Sequence, residues 1–125
     1  MRILHTSITV KDIEESIKFY RDVMGLELQS RREIPENKAE IAFFGDMESN
    51  ARIELTYWKE KEDWTEGDEL DYLAFAVPDM NEAIDRFRDL KVEIALEPYT
   101  LKGSTTRMAF IKDPNGIWLE IIERK

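Results

Sequence analysis

The chain has 125 residues, one histidine and no cysteine, so His5 and the carboxylates are where chemistry at a metal is to be sought first. His5 lies in ILHTSITV (3–10), Glu54 in RIELTYW (52–58) and Glu120 in IWLEIIE (117–123). Each is a short β-branched or aliphatic run, in which successive side chains alternate between the two faces of a strand. Glu54 is bracketed by Ile53 and Leu55, and Glu120 by Leu119 and Ile121, so each carboxylate takes the face opposite its apolar flanks. Taken singly, these residues have ordinary readings. A lone strand histidine is most often half exposed, and a glutamate on an outer strand face is common. Taken together, a neutral imidazole and two carboxylates suit a divalent first-row ion such as Zn, Ni, Co or Mn. An open position on such an ion makes a Lewis acid, and carboxylates beside it can exchange protons with a substrate.

The elements that position these residues follow from periodicity. Strands are expected over 2–10, 27–34, 38–45, 51–58, 70–77, 92–97, 105–112 and 117–123, and helices over 12–24 and 79–91. Asp12 and Asp79 stand where an N-cap belongs, each followed three residues later by Glu15 or Glu82. Ile13, Ile17, Tyr20 and Met24 share one helix face, as do Met80, Ile84, Phe87 and Leu90. Gly25 falls where a C′ residue should.

These two regions repeat one another. VKDIEESIKFYRDV (10–23) and VPDMNEAIDRFRDL (77–90) share six identities, including the strand end and the cap, which an amphipathic stripe alone does not require. The expectation is one α+β domain over 1–125, built from two βαβββ modules at about 1–60 and 68–125 that pair through their sheets. Some sixty residues make a small core alone. An offset of 67 carries His5 onto Tyr72 in LDYLAF. Glu54 maps onto Glu120 at 66, the lost residue being assigned to Gly25, which the second helix lacks. Pseudo-symmetry would then gather His5, Glu54, Tyr72 and Glu120, with Trp58, Trp118 and Tyr72 as an apolar wall.

Composition bounds the rest. With 42% apolar residues the chain has material for a core, and its net charge of −9 argues against nucleic acid or an anionic membrane as partner. No run approaches the ~18 apolar residues of a membrane span, and MRILHTSITV lacks the apolar core of a signal peptide, so a cytoplasmic protein is expected. Lacking cysteine, it has no disulfide, thiolate metal site or thiol nucleophile. Asp113-Pro114-Asn115-Gly116 between two apolar runs reads as a hairpin turn.

LHTSITVKDIEESIKFYRDVMGLEL, IELTYW and KGSTTRMAFIKDPNGIWLEIIE together resemble the vicinal-oxygen-chelate superfamily, and within it glyoxalase I, across essentially the whole chain. The resemblance implies paired βαβββ modules whose curved mixed sheets enclose a cavity, usually completed by a homodimer. It implies a divalent metal held by His5, Glu54, Glu120 and the residue at Tyr72, which is normally histidine. A phenol can ligate only as phenolate, uncommon for a group with a reference pKa near 10. The implied reaction turns the hemithioacetal of a 2-oxoaldehyde and a thiol, glutathione or another, into a 2-hydroxyacyl thioester. Glu120 would be the base and Glu54 its partner on the opposite side. Thr9 and Trp58 stand where the family's Arg and Asn contact glutathione, while Lys102 and Arg107 could supply the missing charge. Other metalloenzymes of the superfamily (an epimerase type), or a metal-free binding protein for a small molecule or antibiotic, remain alternatives at this point.

Overall fold

The computed structural model describes residues 2–65, 67 and 70–124. The chain divides into two compact units, Met1–Glu66 and Gly67–Lys125. The first unit runs β1 (Thr6–Thr9), α1 (Ile13–Lys18), β2 (Glu27–Ile34), β3 (Ala39–Gly45) and β4 (Arg52–Trp58). The second runs β5 (Leu73–Val77), α2 (Met80–Asp89), β6 (Ile94–Thr100), β7 (Arg107–Lys112) and β8 (Trp118–Glu123). The four-stranded sheets have orders β1-β4-β3-β2 and β5-β8-β7-β6. In each, the first strand lies parallel to the last and the other neighbours are antiparallel. This is the βαβββ module twice over, in an α+β fold.

Both helices begin as their sequences dictate. The Asp12 and Asp79 carboxylates accept the backbone N–H of Glu15 (3.0 Å) and Glu82 (2.9 Å), satisfying one of the orphan donors of the first turn. The helix faces that bury are Ile13, Ile17 and Tyr20 in the first unit and Met80, Ile84 and Phe87 in the second. They cover the sheet face carrying Ile8, Val10, Phe44 and Leu55, or its counterpart with Ala109, Ile111, Leu119 and Ile121. Burying one such aliphatic side chain contributes about 1.5–3 kcal/mol, so this layer holds each sheet flat against its helix. Arg31 of β2 adds a peripheral ion cluster with Glu14 and Glu40, and its hydrogen bond holds the Glu14 carboxyl below the ordinary carboxylate range. Exposed pairs of this kind contribute little.

Several boundaries differ from those expected, each for a local reason. The first strand starts at Thr6, not residue 2, because Thr6 pairs with Ile53 in parallel register and residues before it run past the start of β4. Ile3 and Leu4 are accordingly exposed. The fifth strand is trimmed in the same way to Leu73, opposite Leu119. β6 runs on to Thr100 through Pro98, tolerated because β6 is a sheet edge and bulged between Leu96 and Tyr99. The first helix is α-helical only to Lys18 and then widens into a π turn over Phe19–Val23, closed by the N–H of Met24 donating to the Phe19 carbonyl at 3.1 Å.

The offset between the repeats has a different origin from the one assigned to Gly25. Phe43 and Phe110 are again 67 positions apart and sit in the same register, opposite Glu54 and Glu120 respectively. The final drop to 66 therefore falls between β7 and β8, where residues 113–117 do the work of 46–51. Nor does the second helix lack a counterpart of Gly25. Lys91, at φ 61°, takes the left-handed conformation that Gly25 takes at φ 70°. Among the described residues, no helix is long and apolar enough to cross a membrane.

Candidate functional site

In the first unit the site lies on the sheet face away from α1. Residues directly opposite one another on neighbouring strands share a face. Ser7 lies opposite Glu54, and Glu54 opposite Phe43, so these three side chains emerge together at the middle of the sheet. His5 precedes β1 by one residue and remains on this side. Its ring meets Phe43 edge-on, with centroids 5.0 Å apart and planes at 83°. Its Nε2 lies 3.6 Å from Glu54 Oε2. That separation is too long for a hydrogen bond. It is short enough for both atoms to reach one ion with the ~2.0–2.2 Å bonds of nitrogen and carboxylate ligands. The imidazole is a third exposed and the carboxylate less, so both remain accessible while held.

The other Glu54 oxygen is occupied. Ser7 Oγ and Thr56 Oγ1 each lie 2.9 Å from Oε1 and 3.0 Å from one another. Two hydroxyl protons serve three contacts, and the arrangement that satisfies a carboxylate has both donating to Oε1. Arg52, two residues before Glu54 on the same face, stacks over the other side of the cluster, its guanidinium carbon 4.3 Å from the Phe43 centroid. Its Nε donates to Gln29 Oε1 at 2.7 Å, which orients the fork.

The second unit repeats the frame with other contents. Tyr72 precedes β5 by one residue and meets Phe110 edge-on at 5.3 Å and 77°, as His5 meets Phe43. Glu120 lies opposite Phe110 on one side and Ala74 on the other. It is 8% exposed, and among the described residues it has no hydrogen-bond or ion-pair partner. Trp118 stands where Arg52 stands in the first unit, its indole 5.4 Å from the Phe110 ring.

The remaining predicted residues are placed as follows. Thr9 is exposed opposite Thr56 at the end of β1. Trp58 is half exposed at the end of β4, opposite Ala39. Lys102 is exposed in the turn between β6 and β7. Arg107 opens β7, and alternation from Phe110 puts it on the face away from Glu120, so it does not join that cluster. Asp113 closes the expected turn, its Oδ1 accepting the N–H of Asn115 and of Ile117. Ser7, Thr56, Phe43 and Arg52 were not foreseen as part of the cluster, though counting two residues either way from Glu54 reaches Arg52 and Thr56.

Among the described residues no three of His, Cys, Asp and Glu gather in one place, so the donors actually juxtaposed are the pair His5 and Glu54. One imidazole nitrogen and one carboxylate oxygen left open toward it are the donor types a divalent first-row ion takes, so the residues present fit such a group.

Known proteins resemble this chain along its whole length. The sequence profile of the Glyoxalase/Bleomycin resistance protein/Dioxygenase superfamily matches residues 2–121. The lactoylglutathione lyase of Haemophilus influenzae is 39% identical over 127 residues, covering 100% of this chain and 94% of that protein. The "Probable lactoylglutathione lyase" of Vibrio cholerae is 39% identical over 126 residues, covering 99% and 91%. Among solved structures, glyoxalase I from Zea mays matches with a TM-score of 0.88 at 31% identity. It covers 98% of this chain, which spans only 44% of the maize chain. The trypanothione-dependent glyoxalase I of Leishmania major matches with a TM-score of 0.81 at 31% identity, covering 98% of this chain and 86% of that one. With a sheet topology repeated in both units and a profile match from Arg2 to Ile121, the chain belongs to the Glyoxalase/Bleomycin resistance protein/Dioxygenase superfamily.

Proposed function

We propose that this chain is a glyoxalase I-like lyase, converting the hemithioacetal of a 2-oxoaldehyde and a thiol into the isomeric 2-hydroxyacyl thioester. The observation that carries the reading is the His5–Glu54 pair, set 3.6 Å apart in a chain 39% identical to a lactoylglutathione lyase. His5, Glu54 and Glu120 would hold a divalent metal (Ni, Zn, Co or Mn), with Tyr72 at the fourth position of the set. When bound, that ion supplies Lewis-acid polarisation of the two vicinal oxygens of the substrate. Glu120 does the proton work. Its carboxylate takes the hydrogen from the carbon bearing sulfur and returns it to the adjacent carbon, so one C–H bond breaks and one forms, while the hydroxyl proton passes between the two oxygens. Glu54 is its partner on the opposite side.

The thiol is glutathione or a relative of it. Thr9 and Trp58 give its carboxylates less than an Arg and an Asn would, and Lys102 lies out on a turn. The oriented Arg52 fork offers a cation on the face of Glu54 itself, the geometry that suits a carboxylate. The reading includes a cytoplasmic homodimer.

The test uses purified full-length protein, stripped of metal and then given Ni, Co, Zn or Mn. Binding to the folded state at 100 times Kd raises stability by about 2.7 kcal/mol, read as a rise in Tm, and should restore turnover of the methylglyoxal–glutathione adduct. No shift with any of the four ions, and no turnover, would instead make this a metal-free binding member of the superfamily.

A further inference from the structure

We infer that Ser7 and Thr56 are positioning residues that lock the Glu54 carboxylate in one orientation, spending Oε1 on two hydroxyls so that Oε2 alone is presented toward His5. The inference rests on the proposed metal role of Glu54 for its consequence, but not for its geometry.

Three observations carry it. Both hydroxyls reach the same oxygen at 2.9 Å, and neither reaches Oε2. Ser7 sits directly opposite Glu54 on β1 and Thr56 two residues along β4, so both come from backbone already fixed by the ladder. Thr56 is 5% exposed, so its hydroxyl has little water to turn to and its partners are Glu54 Oε1 and the Ser7 hydroxyl, which together close the cluster. The second module lacks the device. Ala74 takes the place of Ser7 opposite Glu120, and Ile122 the place of Thr56, so neither position carries a hydroxyl. A glutamate side chain has three rotatable bonds, and ordering it costs rotamer freedom. Two hydroxyls on one oxygen meet that cost before a ligand arrives. They also leave a single open oxygen, which makes Glu54 a one-oxygen donor. Partners behind a ligand of this kind typically change metal affinity by about 10–100-fold.

The experiment compares the full-length protein with Ser7→Ala, Thr56→Val, the double variant and Ser7→Thr. In metal-free protein, three-bond couplings across the Glu54 side chain should report one rotamer in the parent and Ser7→Thr, and averaging in the double variant. Glu120 couplings should not respond. Titrated with Co(II), the double variant should bind about 10–100-fold more weakly and show an altered visible spectrum, with Ser7→Thr restoring both. Unchanged Tm across the set separates this from unfolding. Averaged Glu54 couplings in the parent, or unaltered couplings in the folded double variant, would overturn the lock. A parent with a locked Glu54 that binds none of Ni, Co, Zn or Mn would overturn the metal reading while leaving the lock standing.

Discussion

Glu54 and Glu120 occupy the same place in their modules, each opposite a phenylalanine on one neighbouring strand and a small residue on the parallel edge strand. Their surroundings differ. Glu54 is tied by two hydroxyls and faced by an imidazole. Glu120 is more buried, among Ala74, Phe110, Trp118 and Ile122, and nothing in its own unit pins it among the described residues. The same fold thus yields one carboxylate suited to staying still and one able to turn. A repeat duplicates positions, but the side chains two residues away decide what each position does. A ligand profits from being held, whereas a group that collects a proton at one carbon and delivers it to the next has to move.

The sharpest way to break this division of labour is to remove each charge in turn. Glu120→Gln should lower kcat on the methylglyoxal–glutathione adduct, measured at saturating Co(II), by about 10²–10⁴-fold, the range for a lost acid–base group, and should also weaken Co(II), since Glu120 belongs to the proposed donor set. Glu54→Gln should weaken the metal more, by over the ~10–100-fold expected for a supporting partner, with the smaller effect on kcat at saturating Co(II). Turnover and Co(II) titration on the same two preparations check both. Equal effects of the two variants on both readouts would show that the halves are functionally interchangeable and the asymmetry idle.

Tyr72 and His5 sharpen the comparison at a second position. Both precede an edge strand by one residue and both lie edge-on to the phenylalanine opposite the carboxylate. Since imidazole ligates as the neutral ring and phenol only as phenolate, the two modules carry unequal donors in equal frames. Tyr72→His should tighten Co(II) or Zn(II) binding by about tenfold, or about 1.4 kcal/mol, and Tyr72→Phe should weaken it. Unchanged affinity in Tyr72→Phe would remove the hydroxyl from the donor set.

Much of this was legible from the chain alone. The capping carboxylates Asp12 and Asp79, the alternation around Glu54 and Glu120, and the repeat that carries His5 onto Tyr72 are local signals with period two or 3.6, and the elements follow them. What escaped was relational. Ser7 looked like any strand serine, because only the parallel register of β1 on β4 sets it against Glu54. Arg52 carries no signal in the sequence, because only the folded strands bring Phe43 and Gln29 against it. The π turn after Lys18 was invisible because Ile13, Ile17 and Tyr20 already satisfy a regular 3.6 stripe, and the widened turn shows only in the backbone bond from Met24 to Phe19.

The helix ends offer the mildest test of how far the modules correspond. Gly25 and Lys91 both close a helix in the left-handed region, but only glycine does so without a steric penalty between Cβ and the following carbonyl. A Cβ placed on Gly25 would meet nothing within 4 Å, so Gly25→Ala is charged only for backbone conformation, about 1 kcal/mol. Lys91→Gly removes the same penalty but returns freedom to the unfolded chain, so the net gain should be smaller, about 0.5 kcal/mol. Urea unfolding should therefore move the midpoint down for the first variant and up for the second, with unchanged slope in each. Opposite signs at equivalent positions would show that the second module carries, in Lys91, a strain that the first relieved with glycine. If Lys91→Gly instead destabilises, the long side chain must repay its backbone through contacts along α2, and the two helix ends are equivalent in shape but not in energetics.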